Sequence, residues 1–315
     1  MRPGLRLLVP ALAVLAAVLV APLAARAGAG ATAVPAQAAP AATPAPGGSV
    51  AWQPAGRQVL GRTVLYTGHS GNAFVAWMDP ELVRPAVVPG TGDPLRSPWG
   101  GQVDPGQRPF LVAAFNGGFK FGDFTGAVTA FGSTYRAPVD GQGSFIVYDD
   151  GSYTVGAWGR DNDPTKHVVA LRQNLGMLVD RGAPTAAAAL PASWGASISG
   201  VVTMRSGAGV DAHGALVWAG GRMSPEDLAS ALVAAGAVRG MQLDINPDWV
   251  NFNAYDVGAD GVAHGNGIFG ATGPDRYLRP NGRDFIALFV RGTVAKGATA
   301  KLGTTPLQAS VKVKT

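Results

Sequence analysis

The chain contains no cysteine among its 315 residues. That excludes a disulfide framework, thiolate zinc sites and cysteine nucleophiles together. Charge is also sparse, with 14% of residues charged and a net charge of +5. There is no dense basic run, no zinc-ligand spacing and no RNA-binding aromatic signature, so a nucleic-acid partner is not expected. The four histidines, His69, His167, His213 and His264, lie far apart in sequence without metal-ligand spacing, and no metal is assigned. Walker, dinucleotide and nucleophile-elbow motifs are missing as well, and no cofactor is expected.

What is present is apolar and rich in turn residues. The chain is 47% hydrophobic, enough for a sizeable core, and its 45 glycines and 24 prolines suit short strands joined by turns. The positive balance suits an anionic partner, such as a phosphate-bearing polymer, or simply keeps a glycine-rich surface soluble.

The first 27 residues read as an export signal. Arg2 and Arg6 precede an apolar stretch from Leu7 to Leu23, and Ala25-Arg26-Ala27 supplies a small-x-small cleavage site. An uncleaved anchor is the alternative, and is the only way this chain would meet a membrane. Both place the remainder outside the cytoplasm. Residues 28–49 read as an Ala/Pro-rich linker, 50–294 as the folded domain and 295–315 as a weakly basic tail.

Within the domain, 110–115 and 285–290 are continuous apolar runs of strand length. Asp149-Asp150-Gly151 and Ala212-His213-Gly214 mark two hairpins, and 198–204 reads as a further buried strand. One helix is clear: Ser224 caps it, Pro225 opens it, and Leu228, Ala231, Leu232 and Ala235 share a face up to Gly236. Met241 to Asp244 follows as a strand ending in a carboxylate. Hairpins with few helices predict an α+β domain with a mostly antiparallel sheet.

Three polar segments follow apolar strands, where a rigid scaffold aims side chains into a cleft. In the first, Asn116 precedes Gly117 and Gly118, whose backbone permits either a tight turn or close ligand approach. In the second, Arg205 and Ser206 lead to Asp211. A strand-end guanidinium needs an anion or a carboxylate partner, so Arg205 is either a phosphate clamp or a structural ion pair. In the third, Asp244 is followed by Asn246, Asp248 and Trp249. A carboxylate beside an aromatic suits a sugar site, while an Asx-turn loop uses the same residues for backbone bonds. His264, in a glycine-rich stretch, is a further candidate for a site loop.

The order of these segments resembles the phosphodiester glycosidase family over roughly 110–291. Asn116-Gly117-Gly118-Phe119 resembles the family's Asn-Gly-Gly-Phe motif, and 171–184, with Gly176 to Gly182, resembles its strand-and-turn segment. Arg205 to Asp211 resembles Arg-Thr-Ala-x-Gly with its hairpin, and the helix leading to Leu243-Asp244 resembles the approach to Leu-Asp-Gly-Gly-Gly-Ser. After the aspartate this chain departs, with Ile245-Asn246-Pro247-Asp248 in place of glycines and serine.

The resemblance implies an exported hydrolase that releases a sugar from a sugar-1-phosphodiester. Asp244, Arg205 and Asn116 would be catalytic. Gly117, Gly118, Ser206, Asp211, Asn246, Asp248, Trp249 and His264 would bind an anionic glycan or sugar-phosphate substrate. The alternative is a glycan-binding or envelope-assembly protein of the same fold without catalysis.

Overall fold

A computed structural model describes residues 44–291 apart from 93 and 125. The signal or anchor at 1–27, the linker up to 43 and the tail at 295–315 lie outside the described residues.

In chain order the strands are β1 (Gln53–Val59), β2 (Arg62–Ser70), β3 (Ala73–Met78), β4 (Val83–Val88), β5 (Leu111–Asn116), β6 (Val128–Ala130), β7 (Ser133–Tyr135), β8 (Gly143–Tyr148) and β9 (Tyr153–Ala157). After these come β10 (Val168–Gln173), β11 (Met177–Asp180), β12 (Ala183–Pro184), the helical turn α1 (Ala196–Ser199), β13 (Thr203–Asp211) and β14 (Leu216–Met223). The chain continues through helix α2 (Pro225–Ala234), β15 (Ala237–Gln242), β16 (Phe252–Val257), β17 (Ala263–Phe269) and β18 (Phe285–Val290).

They form three antiparallel sheets, of order β1-β2-β3-β14-β13-β15-β11-β12, β7-β6-β10-β8-β9 and β17-β16-β5-β18-β4. The expected antiparallel pairing is found. The domain is mostly β, with the few helices expected: among the described residues the α-helices are one of ten residues and one four-residue turn, beside four short 3-10 turns. No helix among them is long and apolar enough to cross a membrane.

Strand alternation explains the layers. In β14, Leu216 and Trp218 enter a core shared by all three sheets, while Val217 and Ala219 face α2. In β18, Ile286 and Leu288 join that shared core, and Phe285, Ala287 and Phe289 pack on the other side against Trp99 and Tyr277. A strand buried on both faces must be apolar throughout, which is why 285–290 is an unbroken run. Phe115 stacks on Phe252 at 5.9 Å, locking β5 to β16 beneath the site.

Helix α2 begins as its sequence directs. Ser224 Oγ accepts from the Asp227 amide at 3.1 Å and Asp227 Oδ2 accepts from the Ser224 amide at 3.1 Å, a reciprocal cap. The strand expected at 198–204 starts only at Thr203, because Gly195 (φ 79°) and Gly200 (φ 82°) bracket α1 in left-handed conformations. The strand expected at 241–244 begins earlier, at Ala237, and ends at Gln242.

Candidate active site

The site forms where the ladder between β13 and β15 runs past the end of β15. The Leu243 amide donates to the Ser206 carbonyl at 2.8 Å, and the Ser206 amide donates to the Asp244 carbonyl at 2.9 Å. From the neighbouring sheet, Asn116 at the end of β5 donates through Nδ2 to Ser206 Oγ at 2.8 Å. Ser206 Oγ also accepts from the Asp244 amide at 3.3 Å. Asn116, Ser206 and Asp244, 128 residues apart at the extremes, thus meet in one buried network. Its polar atoms are paired, as burial demands.

Asp244 is 6% exposed. Its Oδ1 accepts from the amides of Ile245 at 2.7 Å and Asn246 at 2.9 Å, and its Oδ2 lies 3.8 Å from Arg283 Nη2. Burial pushes its pKa up to about 6, prevailing over the two amides and Arg283, which favour the charged form. Oδ1 is therefore committed to the backbone, and Oδ2 is the oxygen nearer the cation.

Asp244 lines a cavity of about 250 Å³ together with Asp123, Lys120, Ser199, Asn246 and Trp249. Lys120 and Trp249 also line an adjoining cavity of about 600 Å³, where Arg136 and Arg283 face the same space. Arg283 Nη2 donates to the Gly118 carbonyl at 2.8 Å. Arg276 stands 4.8 Å from the Trp249 ring centre and Arg283 5.9 Å, which orients the indole. The result is a carboxyl of raised pKa, a second carboxylate, two neighbouring cations and an aromatic wall around one hollow. Such a set can hold an anion and move a proton beside it.

Several residues singled out in sequence serve elsewhere. Arg205 is completely buried and does not line the hollow. It donates to the carbonyls of Trp194 at 2.7 Å, Val201 at 3.1 Å and Met223 at 3.2 Å, and to Gln242 Oε1 at 2.8 Å. Burial without a carboxylate partner lowers its pKa to about 10. The expected choice between phosphate clamp and ion pair is replaced by a third arrangement, a cation bound by carbonyl oxygens that braces the segment carrying Ser199.

Gly117 and Gly118 are buried and line neither cavity. The Gly117 amide donates to the Asp284 carbonyl at 3.1 Å instead of facing a ligand. A Cβ on Gly117 would collide with the Asp284 carboxylate, and one on Gly118 would stand 3.0 Å from Arg172 Cζ and from Asn174. Asp211 accepts from Trp77 Nε1 at 3.0 Å and from the His213 and Ala215 amides, closing its hairpin at the far end of β13. Asn246 Oδ1 accepts from the Asp248 amide at 2.8 Å in an Asx turn, and exposed Asp248 lines neither cavity. His264 is exposed on β17 opposite Asp256, also outside both cavities. Among the described residues no group of three or more His, Asp or Glu is placed to hold a metal ion.

Sequence reasoning missed Arg283, Lys120 and the buried pair behind the Gly-Gly turn. Arg172 Nε donates to Asp284 Oδ2 at 2.6 Å with both side chains almost wholly buried. Asn174 completes this support, accepting from the Phe119 amide at 3.2 Å and donating to the Leu243 carbonyl at 2.7 Å. One signal was available: Arg283-Asp284 immediately precedes a wholly apolar strand, and charges at that position must be paired or functional.

The fold is similar to the catalytic domain of zebrafish N-acetylglucosamine-1-phosphodiester alpha-N-acetylglucosaminidase, auto-inhibited by its pro-peptide. Identity is 16%, covering 77% of this chain and 88% of that one, with a TM-score of 0.47. It is also similar to a hypothetical protein from Synechocystis, at 13% identity over 76% of this chain and 64% of that one, with a TM-score of 0.40. No protein-family model matches the chain, and no curated protein matches it in sequence.

Proposed function

We propose that this protein is a hydrolase that releases a sugar joined through its anomeric carbon to a phosphodiester, acting outside the cytoplasm on a phosphoglycan. The observation that carries the reading is Asp244, a buried carboxyl with a pKa near 6 that lines one hollow and stands 3.8 Å from Arg283, which lines the adjoining basic one. The motifs in Sequence analysis support the same chemistry.

In this reading the sugar occupies the smaller cavity against Trp249, with Asp123 accepting hydrogen bonds from its hydroxyls. The phosphate lies toward Arg283 and Lys120. Asp244 Oδ2 takes a proton from water as the water oxygen bonds to the anomeric carbon. The bond from that carbon to the phosphate oxygen breaks, and its electron pair leaves with the phosphomonoester. Phosphate needs no protonation to depart, so one base with a pKa near working pH suffices. Arg283 and Lys120 meet the charge that grows on the leaving group. The buried Asn116–Ser206 bond holds the Asp244 backbone and acts through position alone.

A non-catalytic glycan-binding role is the second reading. Ile245 and Pro247 line the hollow where the resembled family carries glycines, and their bulk narrows it. Incubating the purified domain with a panel of sugar-1-phosphodiesters and assaying free sugar and sugar phosphate separates the readings. Free sugar supports the proposal; sugar phosphate would mean P–O cleavage instead. Binding without either product would leave the glycan-binding role.

A further inference from the structure

The antiparallel pairing of β4 with β18 brings two arginines together at the end of the sheet away from the candidate active site. Arg84 stands opposite Phe289, and past the last strand pair the Arg291 amide donates to the Leu82 carbonyl at 2.7 Å, so the ladder runs on by one step. Residues 84 and 291 are therefore diagonal neighbours. Alternation puts both on the face that carries Ala86, Ala287 and Phe289. The chain leaves the candidate site at Arg283 and Asp284 and reaches Arg291 along β18, roughly 25 Å away.

Neither arginine makes a hydrogen bond or an ion pair among the described residues. Arg84 Nε and Nη2 and Arg291 Nε point inward without partners. Both side chains are only half-buried, and their remaining guanidinium nitrogens open to the surface. Burial, and after it the charge of Arg291, lowers the pKa of Arg84 to about 10. The carboxylates in the surrounding turns are already taken. Arg62 holds Asp79 at 2.6 Å and Glu81 at 2.8 Å, just ahead of β4. Arg291 Nη1 lies 3.8 Å from where a Cβ on Gly151 would stand, and the adjacent Asp150 is held by Lys166 at 2.8 Å. The sequence after Arg291 contains four lysines and no Asp or Glu, so it supplies no acidic side chain either. Two adjacent guanidiniums of this kind repel each other and leave strong donors unused, a cost that an anion bridging them removes. The guanidinium fork fits a tetrahedral oxyanion, and two forks match the double charge of phosphate.

We infer that Arg84 and Arg291 form a second anion site, which takes a phosphate group across the open nitrogens of the two guanidiniums. It lies outside the hollow that holds Asp244 and does not depend on the hydrolase reading.

Thermal unfolding of the purified domain in inorganic phosphate, against chloride at the same ionic strength, tests the site. The wild type should gain about 3 °C or more, levelling off as the site fills. Arg283→Ala, which removes a cation of the candidate active site, should keep that gain. Arg84→Gln and Arg291→Gln should each lose most of it, and either variant suffices if the other folds poorly. Glycerophosphoglycerol in place of inorganic phosphate separates two sources. An equal gain assigns the site to the phosphodiesters of polymers or lipid headgroups; a gain with inorganic phosphate alone assigns it to free phosphate or a phosphomonoester. Stability that follows ionic strength alone, a gain that survives both glutamine variants, or one that disappears with Arg283→Ala would overturn the inference.

Discussion

Arg205 and Ser206 are adjacent in β13 and point to opposite faces of its sheet. Ser206 reaches Asn116 and the Asp244 backbone, whereas Arg205 turns toward Trp194 and the α2 side. Of two neighbouring polar residues at a strand end, only one can face the hollow, because strand side chains alternate.

The two arginines near the site should therefore behave differently. Arg205→Ala leaves several buried carbonyl oxygens without donors and should cost stability by roughly 3–5 kcal/mol in chemical denaturation. The fraction that remains folded should bind the phosphodiester with unchanged KM. Arg283→Ala should instead raise KM by about 10-fold or more, with a smaller loss of stability. A raised KM for folded Arg205→Ala would restore Arg205 to the phosphate.

Asp244→Asn should lower kcat by about 10²–10⁴-fold and at the same time stabilise the protein at neutral pH. The folded pKa, about 6, is raised above the ordinary aspartate value of about 3.9. Ionisation is thus harder in the folded state, and the carboxyl's favourable contribution, complete below about pH 4, is lost as pH rises through about 6. A shift of this size corresponds to at most about 3 kcal/mol. The wild-type and Asn variants should therefore have similar melting temperatures near pH 4 and diverge by pH 7.5, with the Asn variant higher.

The pH profile follows from the same group. As a base, Asp244 works ionised, so kcat/KM for a sugar-1-phosphodiester should rise with pH through about 6 and then level off. A profile that falls as pH rises through 6 would make Asp244 an acid instead.

Gly117→Ala tests what the Gly-Gly turn is for. Its Cβ would meet the Asp284 carboxylate, which is paired with Arg172 in the buried interior. Disturbing such a pair should cost about 3–5 kcal/mol, seen as a lower denaturation midpoint. A fully stable variant with impaired substrate binding would return Gly117 to the ligand.

Much of the local structure was legible because it depends on neighbours in sequence. The capping box at Ser224 and Asp227, the Asp149-Asp150-Gly151 turn and the unbroken apolar run of β18 each carry their own cause. The short strands β6, β7 and β12 were not legible, since two or three residues give no period and depend on partners far along the chain. The two-glycine bracket around α1 broke a strand that apolar content alone predicted.

Composition and order in the chain determined that this is a cysteine-free, turn-rich domain of mostly antiparallel sheet, with Asn116 closing one strand and Asp244 just past another. Which charges share a hollow was decided only by folding. Arg283 and Asp244 are 39 residues apart, and no local rule brings them within 3.8 Å; the pairing of β18 with β5 and of β13 with β15 does. Removal from water, itself a product of all three sheets, then raises the pKa of Asp244, so its chemistry belongs to the tertiary structure.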